Sequence, residues 1–172
     1  MSDLSFRAMA FTFKIRDFFS PREYIVKEVG IKEGDRVLDF GCGPGSYVLA
    51  VAELVGKSGK VYALDVQPLA IEMVKKIAAK NKLTNVETIL SDKKIGLPDE
   101  SVDVGLLYDV FHDLTDPKGV LEELHRVLKT DGILSLSDHH MKHDEIITNI
   151  TNRNFFRLFK EGEKTYSFAK TK

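Results

Sequence analysis

Cysteine is nearly absent: Cys42 stands alone in 172 residues. That excludes an internal disulfide framework and a zinc site built from cysteines, and it fits a reducing compartment. Long apolar runs are missing as well, none approaching the roughly 18 residues that a membrane span needs. The opening stretch MSDLSFRAMAFTFKIRDFF has charges scattered through it and no uninterrupted apolar centre. It does not read as a secretory leader, and a cytoplasmic protein is expected. Neither sign of charge dominates, since 25 Lys and Arg against 26 Asp and Glu leave a net −1. A nucleic-acid binder usually carries a basic stripe, so no nucleic-acid partner is expected.

What is present describes a globular chain with a core: 43% hydrophobic and 30% charged residues. The length suits one domain spanning residues 1–172, and no repeat, linker or shift in composition divides it. Short runs rich in Val, Ile and Leu read as buried strands: 36–40, 60–64, 86–90, 102–108 and 133–138. Helical patterns lie between them. Pro68 at a first helical position precedes Leu69, Met73, Val74 and Ile77 on one face, and Asp116-Pro117 repeats the device ahead of Val120, Leu121, Leu124, Val127 and Leu128. Asp131-Gly132 reads as the stop of that second helix. The alternation means βαβ crossovers and a mostly parallel sheet covered on both faces. Residues 91–101 are too short and polar for a crossover helix, and 155–160 with 164–170 read as a β-hairpin about Glu161-Gly162-Glu163. Residues 1–30 form a separate N-terminal segment ahead of the core at 31–172, and carry five of the 11 phenylalanines, at 6, 11, 13, 18 and 19.

The most informative stretch is Val37-Leu38-Asp39-Phe40-Gly41-Cys42-Gly43-Pro44-Gly45, a strand entering a glycine turn. Glycines there permit a tight turn and let a ligand approach bare backbone. A nicotinamide dinucleotide site would show G-x-G-x-x-G, but the third position is Ser46 and the spare glycine comes one residue early, at Gly45. Asp39, two residues before the first glycine, is an awkward neighbour for a pyrophosphate and suits a ligand bearing an ammonium or sulfonium. A nicotinamide-dependent oxidoreductase is therefore disfavoured.

VLDFGCGPG resembles motif I of the class I S-adenosylmethionine-dependent methyltransferases, in the branch that holds the ubiquinone and menaquinone biosynthesis type enzymes. The likeness continues in order over roughly residues 30–140. Asp65 ends the second strand, Ser91-Asp92 the third, and LPDESVDVGLLYDVFHDLTDP with LEELHRVLKTDGILSLSD match the fourth strand, the Asp-Pro helix and the fifth strand. The resemblance implies an α/β fold: a Rossmann-like, seven-stranded, mostly parallel sheet with helices on both faces and a C-terminal antiparallel hairpin. It implies S-adenosyl-L-methionine as cofactor, with Asp39, Gly41 and Gly43 at the methionine moiety, Gly45 in the same cofactor-binding loop, Asp65 at the ribose, Val66 and Gln67 flanking the ring, Asp92 at the adenine and Tyr108 closing the pocket. Asp65 also reads as a cap for the helix at Pro68, and Asp92 as a turn residue.

The implied activity is methyl transfer to a small-molecule acceptor by in-line displacement, for which the enzyme aligns the partners and excludes water. A base is needed where the acceptor is a hydroxyl or a carbon acid. Four of the five histidines fall after strands four and five. His112 is the first candidate base, with Asp113 beside it to orient the ring; His139 and His140 are next. His139 and His143 have helical spacing that invites a metal, but they straddle a strand end, and no metal site is expected. No N-P-P-Y or D-P-P-Y follows strand four, which leaves out the signature this fold uses for exocyclic amines. The alternatives are a protein- or RNA-directed methyltransferase needing a partner, or a binding module without turnover. The phenylalanine-rich segment reads as a lid over the acceptor or as the contact of a homodimer. A membrane-surface helix is less favoured, because its apolar residues hold no clean helical stripe.

Overall fold

The computed structural model describes residues 2–19 and 22–171. Seven strands form one sheet: β1 (Arg36–Phe40), β2 (Lys60–Asp65), β3 (Val86–Leu90), β4 (Val102–Tyr108), β5 (Leu128–Ser137), β6 (Phe156–Glu161) and β7 (Tyr166–Lys170). Their spatial order is β3-β2-β1-β4-β5-β7-β6. The first five run parallel, while β7 is antiparallel to both β5 and β6. Strands β1 and β4 are rich in apolar residues because both their faces are covered: Val37, Leu38, Leu106 and Leu107 are fully buried. Edge strand β3 is only half covered. From β1 the chain winds one way to β2 and β3, and the other way to β4 and β5. The crevice at the carboxyl end of β1 is thus a topological switch point, where open α/β sheets hold ligands.

The helices are α1 (Asp3–Phe19), α2 (Glu23–Lys27), α3 (Val48–Val55), α4 (Pro68–Lys80), α5 (Pro117–Val127) and α6 (His143–Thr151). Both Pro-led helices begin where the sequence places them, and the Asp116 carboxylate accepts from Gly119 N at 2.9 Å as an N-cap. The helix from Pro117 does not run to Asp131-Gly132. It stops at Val127, because Leu128 is extended (φ −68°, ψ 137°), fully buried and paired with Val102, so the strand begins five residues before Ile133. A register shift between Val102 and Val104 absorbs the early start. Residues 91–101 hold no helix, and Ile95 fills the core there instead. Helix α6 was not announced by the pattern, since only Ile146 and Ile150 bury its inner face.

Within the N-terminal segment, α1 packs over the carboxyl end of the sheet. Phe6 and Ala10 are buried against Leu69 and Ala70 of α4, flanked by Met9 and Met73. Phe13 is half-buried and Phe11 exposed; the side chains of Phe18 and Phe19 lie outside the described residues.

Candidate active site

The turn after β1 is built from three glycines with positive φ. At Gly41 a β-carbon would stand 2.5 Å from Val110 Cγ2, and at Gly45 it would stand 2.9 Å from Ile77 Cδ1. These two are glycine because the loop after β4 and helix α4 press against them. Gly43 differs. A β-carbon there would meet nothing within 4 Å, so its bare face opens on empty space.

That space is a cavity of about 440 Å³. Gly41, Gly43, Asp65, Val66, Gln67, Asp92 and Tyr108 line it, and α1 covers it with Phe6, Met9, Phe13 and Arg16. Of the nine residues the sequence assigns to a cofactor, seven are therefore on one wall. Gly45 is not; its role is the close approach to α4. Asp39 is not on the wall either, but sits buried beside it, next in the chain to lining residues Phe40 and Gly41.

Asp39 carries the site's chemical signature. Its Oδ2 is buried and, among the described residues, has no hydrogen-bond partner. Burial, reinforced by the charge of Asp65, lifts its carboxyl to about 7. A buried acceptor without a donor is costly unless a ligand supplies one. Asp65 is differently placed. Its Oδ2 accepts from Gly43 N and its Oδ1 from Gln67 N, each at 2.8 Å. Burial raises its carboxyl while these backbone donors hold it down. It pins the glycine turn as well as facing the cavity, and it does not cap α4, whose N-cap is Gln67. Asp92 is exposed and accepts from Lys93 N at 2.7 Å. Tyr108 contributes ring surface only. Its hydroxyl shares a 2.8 Å hydrogen bond with Ser135 Oγ, its ring meets Tyr47 edge-on at 4.9 Å, and burial pushes both phenols up.

A second cavity, of about 740 Å³, adjoins the first and shares Phe13, Arg16, Tyr47 and Asp109 with it. His139 is on its wall. His139 Nδ1 lies 2.7 Å from Asp109 Oδ1, and Arg16 Nη1 donates to Asp109 Oδ2 at 3.4 Å. Asp109 itself has φ +52°, with its amide bonded to Ser137 O at 2.7 Å.

His112, first in the sequence reading, lines neither cavity. Its Nδ1 is 2.8 Å from Oδ2 of buried Asp138, which also accepts from His112 N at 3.2 Å and, through Oδ1, from His140 N at 3.0 Å. The orienting carboxylate is therefore Asp138; Asp113 is exposed and 3.6 Å from Nε2. His140 stacks between the other two rings, 4.3 Å from His112 and 4.0 Å from His139, and lines neither cavity. His143 opens α6 and turns to Asp144 and Glu161, whose carboxylates raise its pKa. It is separated from His139 by a turn, so the two share no helical face. Among the described residues no group of three or more His, Cys, Asp or Glu is placed to hold a metal ion. Sequence reasoning missed the parts played by Asp109 and Arg16. The histidine cluster gave Asp109 as a neighbour, but only the pairing of β4 with β5 brings it to His139.

The strand order, the glycine turn at the switch point and the unpartnered buried carboxylate beside the cavity define an α/β domain with a candidate ligand site at the end of β1. The chain belongs to the methyltransferase-domain family, whose model matches residues 31–170, and it is a class I S-adenosylmethionine-dependent methyltransferase domain. It is 31% identical over 141 residues to the demethylmenaquinone methyltransferase of Lactobacillus johnsonii, covering 80% of this chain and 57% of the relative. It is 30% identical over 128 residues to the 2-phytyl-1,4-naphtoquinone methyltransferase of a Nostoc species, covering 72% and 55%. The chain thus spans about half the length of these curated relatives. Among solved structures it resembles a SAM-dependent methyltransferase from Aquifex aeolicus, with TM-score 0.78 and 30% identity over 94% of this chain and 97% of the other.

The cradle gives a direct test. Gly43→Ala adds a methyl where the protein leaves room, at φ +51°, a left-handed backbone that costs alanine about 1 kcal/mol. The domain should stay folded, while binding of S-adenosylhomocysteine by calorimetry should weaken at least tenfold. Unchanged affinity would remove the cradle from the site.

Proposed function

We propose that this chain methylates a hydroxylated aromatic small molecule of the reduced-quinone type, seated in the second cavity. The observation that carries the reading is the His139–Asp109 pair on the wall of a cavity that shares four residues with the cofactor cavity. The residues present fit S-adenosylmethionine: a carboxylate lacking a donor suits its ammonium, and a bare glycine face leaves room for its chain. When bound, that cofactor supplies a methyl group activated by a sulfonium. What remains for the protein is alignment, exclusion of water and one proton.

Asp109 holds Nδ1 of His139, which leaves Nε2 to take the acceptor's hydroxyl proton as the ring becomes nucleophilic. Helix α1 acts as a lid: Phe6, Met9 and Phe13 shield the cofactor cavity from water, and Arg16 tethers the helix to Asp109. The relatives' names supply the acceptor class, and one of them specifies a phytyl group, a long hydrocarbon tail. The acceptor proposed here has such a tail, which leaves the cavity beside α1.

Methyl transfer from labelled S-adenosylmethionine to a panel of reduced naphthoquinones, phenols, amines and thiols tests this. Turnover should be confined to the hydroxylated rings, with the methyl found on a ring oxygen or ring carbon. Transfer only to amines or thiols, or only to RNA or protein, would overturn the acceptor assignment. Binding without any turnover would overturn the enzymatic reading altogether.

A further inference from the structure

Helix α1 has two apolar faces. Phe6, Met9, Ala10 and Phe13 turn inward, onto α4 and the cofactor cavity. Leu4, Ala8, Phe11 and Ile15, spaced i, i+4, i+7 and i+11, share the opposite face. This is why no single stripe is legible in the sequence. The outer face is bare: Leu4 is 80% exposed, Phe11 64% and Ile15 46%. Arg7 and Lys14, seven residues apart along one flank of this stripe, are exposed and form no ion pair among the described residues. No helix of the described residues is long and apolar enough to cross a membrane.

We propose that this outer face of α1 docks on an anionic lipid surface, lying in the headgroup region with Leu4, Phe11 and Ile15 inserted and Arg7 and Lys14 against the lipid charge. Apolar residues on one face with cations at its margin are what an interfacial helix needs. A second copy of the chain fits the face less well. Three large side chains on a helix ~25 Å long fall short of the ~800 Å² per partner of a stable pairing. An antiparallel two-fold contact about the middle of this stripe would also set Arg7 of one copy towards Lys14 of the other, like charge against like. The proposal rests in part on the acceptor reading above: a tailed acceptor resides in a bilayer, and the helix that would rest there also walls the second cavity with Thr12, Phe13 and Arg16.

Flotation of the full chain with vesicles of phosphatidylcholine, with and without phosphatidylglycerol, tests docking in the absence of methyl donor and acceptor. The chain should bind the anionic vesicles, more weakly as salt is added. Phe11→Ser with Ile15→Ser should lower the affinity at least tenfold. Arg7→Glu with Lys14→Glu should lower it by roughly fivefold or more for each cation reversed. None of these four residues lines either cavity, so S-adenosylhomocysteine binding should be kept in all variants, which also shows that they fold. No binding to anionic vesicles, or equal binding by the variants, overturns the proposal. Self-association in sedimentation that the same variants abolish, without vesicle binding, assigns the face to a second copy instead. Vesicle binding by a chain that methylates no hydroxylated ring would leave docking standing and the acceptor reading fallen.

Discussion

Asp39→Asn is expected to cripple binding of S-adenosylmethionine while making the ligand-free protein more stable. The wild-type carboxyl is buried, lacks a donor for Oδ2 and is lifted to about 7 by burial and by Asp65. The unfolded chain returns it to about 3.8. Between those values the folded state holds a proton that the unfolded state has lost, so stability falls as pH rises through this window and levels off above 7. The penalty at pH 8 is on the order of 4 kcal/mol. An asparagine carries no charge to desolvate. The variant's melting temperature should exceed the wild type's by several degrees at pH 8, and the two should converge near pH 4. Binding runs the other way. A ligand ammonium favours the ionised carboxylate, so calorimetry of the wild type at pH 6 should register proton release, visible as a dependence of the binding enthalpy on the buffer. The variant has no such proton to release, and its affinity should fall by about 2 kcal/mol or more, the scale of a charge-assisted hydrogen bond in a buried site. Equal affinity in the two proteins would sink the assignment of Asp39 to the cofactor's cation. Equal stability profiles would mean that the carboxylate is satisfied without a ligand.

The sequence exposed most of this architecture because its signals were local and agreed with one another. Strands 36–40, 86–90 and 102–108 are delimited by their own apolar runs, and Pro68 and Pro117 start their helices by ring geometry alone. The glycine turn could be read both as a turn and as a cradle, because the residue pattern that bends the backbone also bares it. Position along the chain does not reveal which atoms face one another across the sheet. Leu128 leaves the helical stripe to pair with Val102 because a buried β4 neighbour outweighs its helical spacing. His112 stands beside Asp113 in the chain, but Asp138, 26 residues on, holds it. His139 and Asp109 are 30 residues apart and meet only because β4 and β5 are neighbours and end at the same edge. Arg16 reaches Asp109 because α1 lies over that edge. Thus the wall of the first cavity, carried on one loop and the ends of β2, β3 and β4, was legible as a cluster, and the His139–Asp109–Arg16 group beside the second cavity was not.

His139→Ala is expected to lower turnover on a hydroxylated acceptor by roughly 10²–10⁴-fold, the span for loss of a general base. Cofactor affinity should hardly change, because His139 lines only the second cavity. Asp109→Asn should follow in the same direction, since it withdraws the carboxylate 2.7 Å from Nδ1 and with it the control of the ring's tautomer. His112→Ala should behave otherwise. It takes a partner from Asp138, whose side chain is fully buried, so the cost falls on folding, about 1–3 kcal/mol for an acceptor left short of a donor. Turnover per folded molecule should stay within a few-fold of the wild type. The comparison separates two histidines that look alike in sequence, each after a strand end and each beside an aspartate. In one the aspartate is buried and the ring closes a structural clamp. In the other the aspartate is shared with Arg16 of α1, and in the proposed reading the ring's second nitrogen serves the acceptor. Measuring kcat, cofactor affinity and melting temperature for the three variants distinguishes them. A large loss of kcat in His112→Ala with unchanged melting temperature, set against near-normal turnover in His139→Ala, would return the base to the residue that the sequence put first.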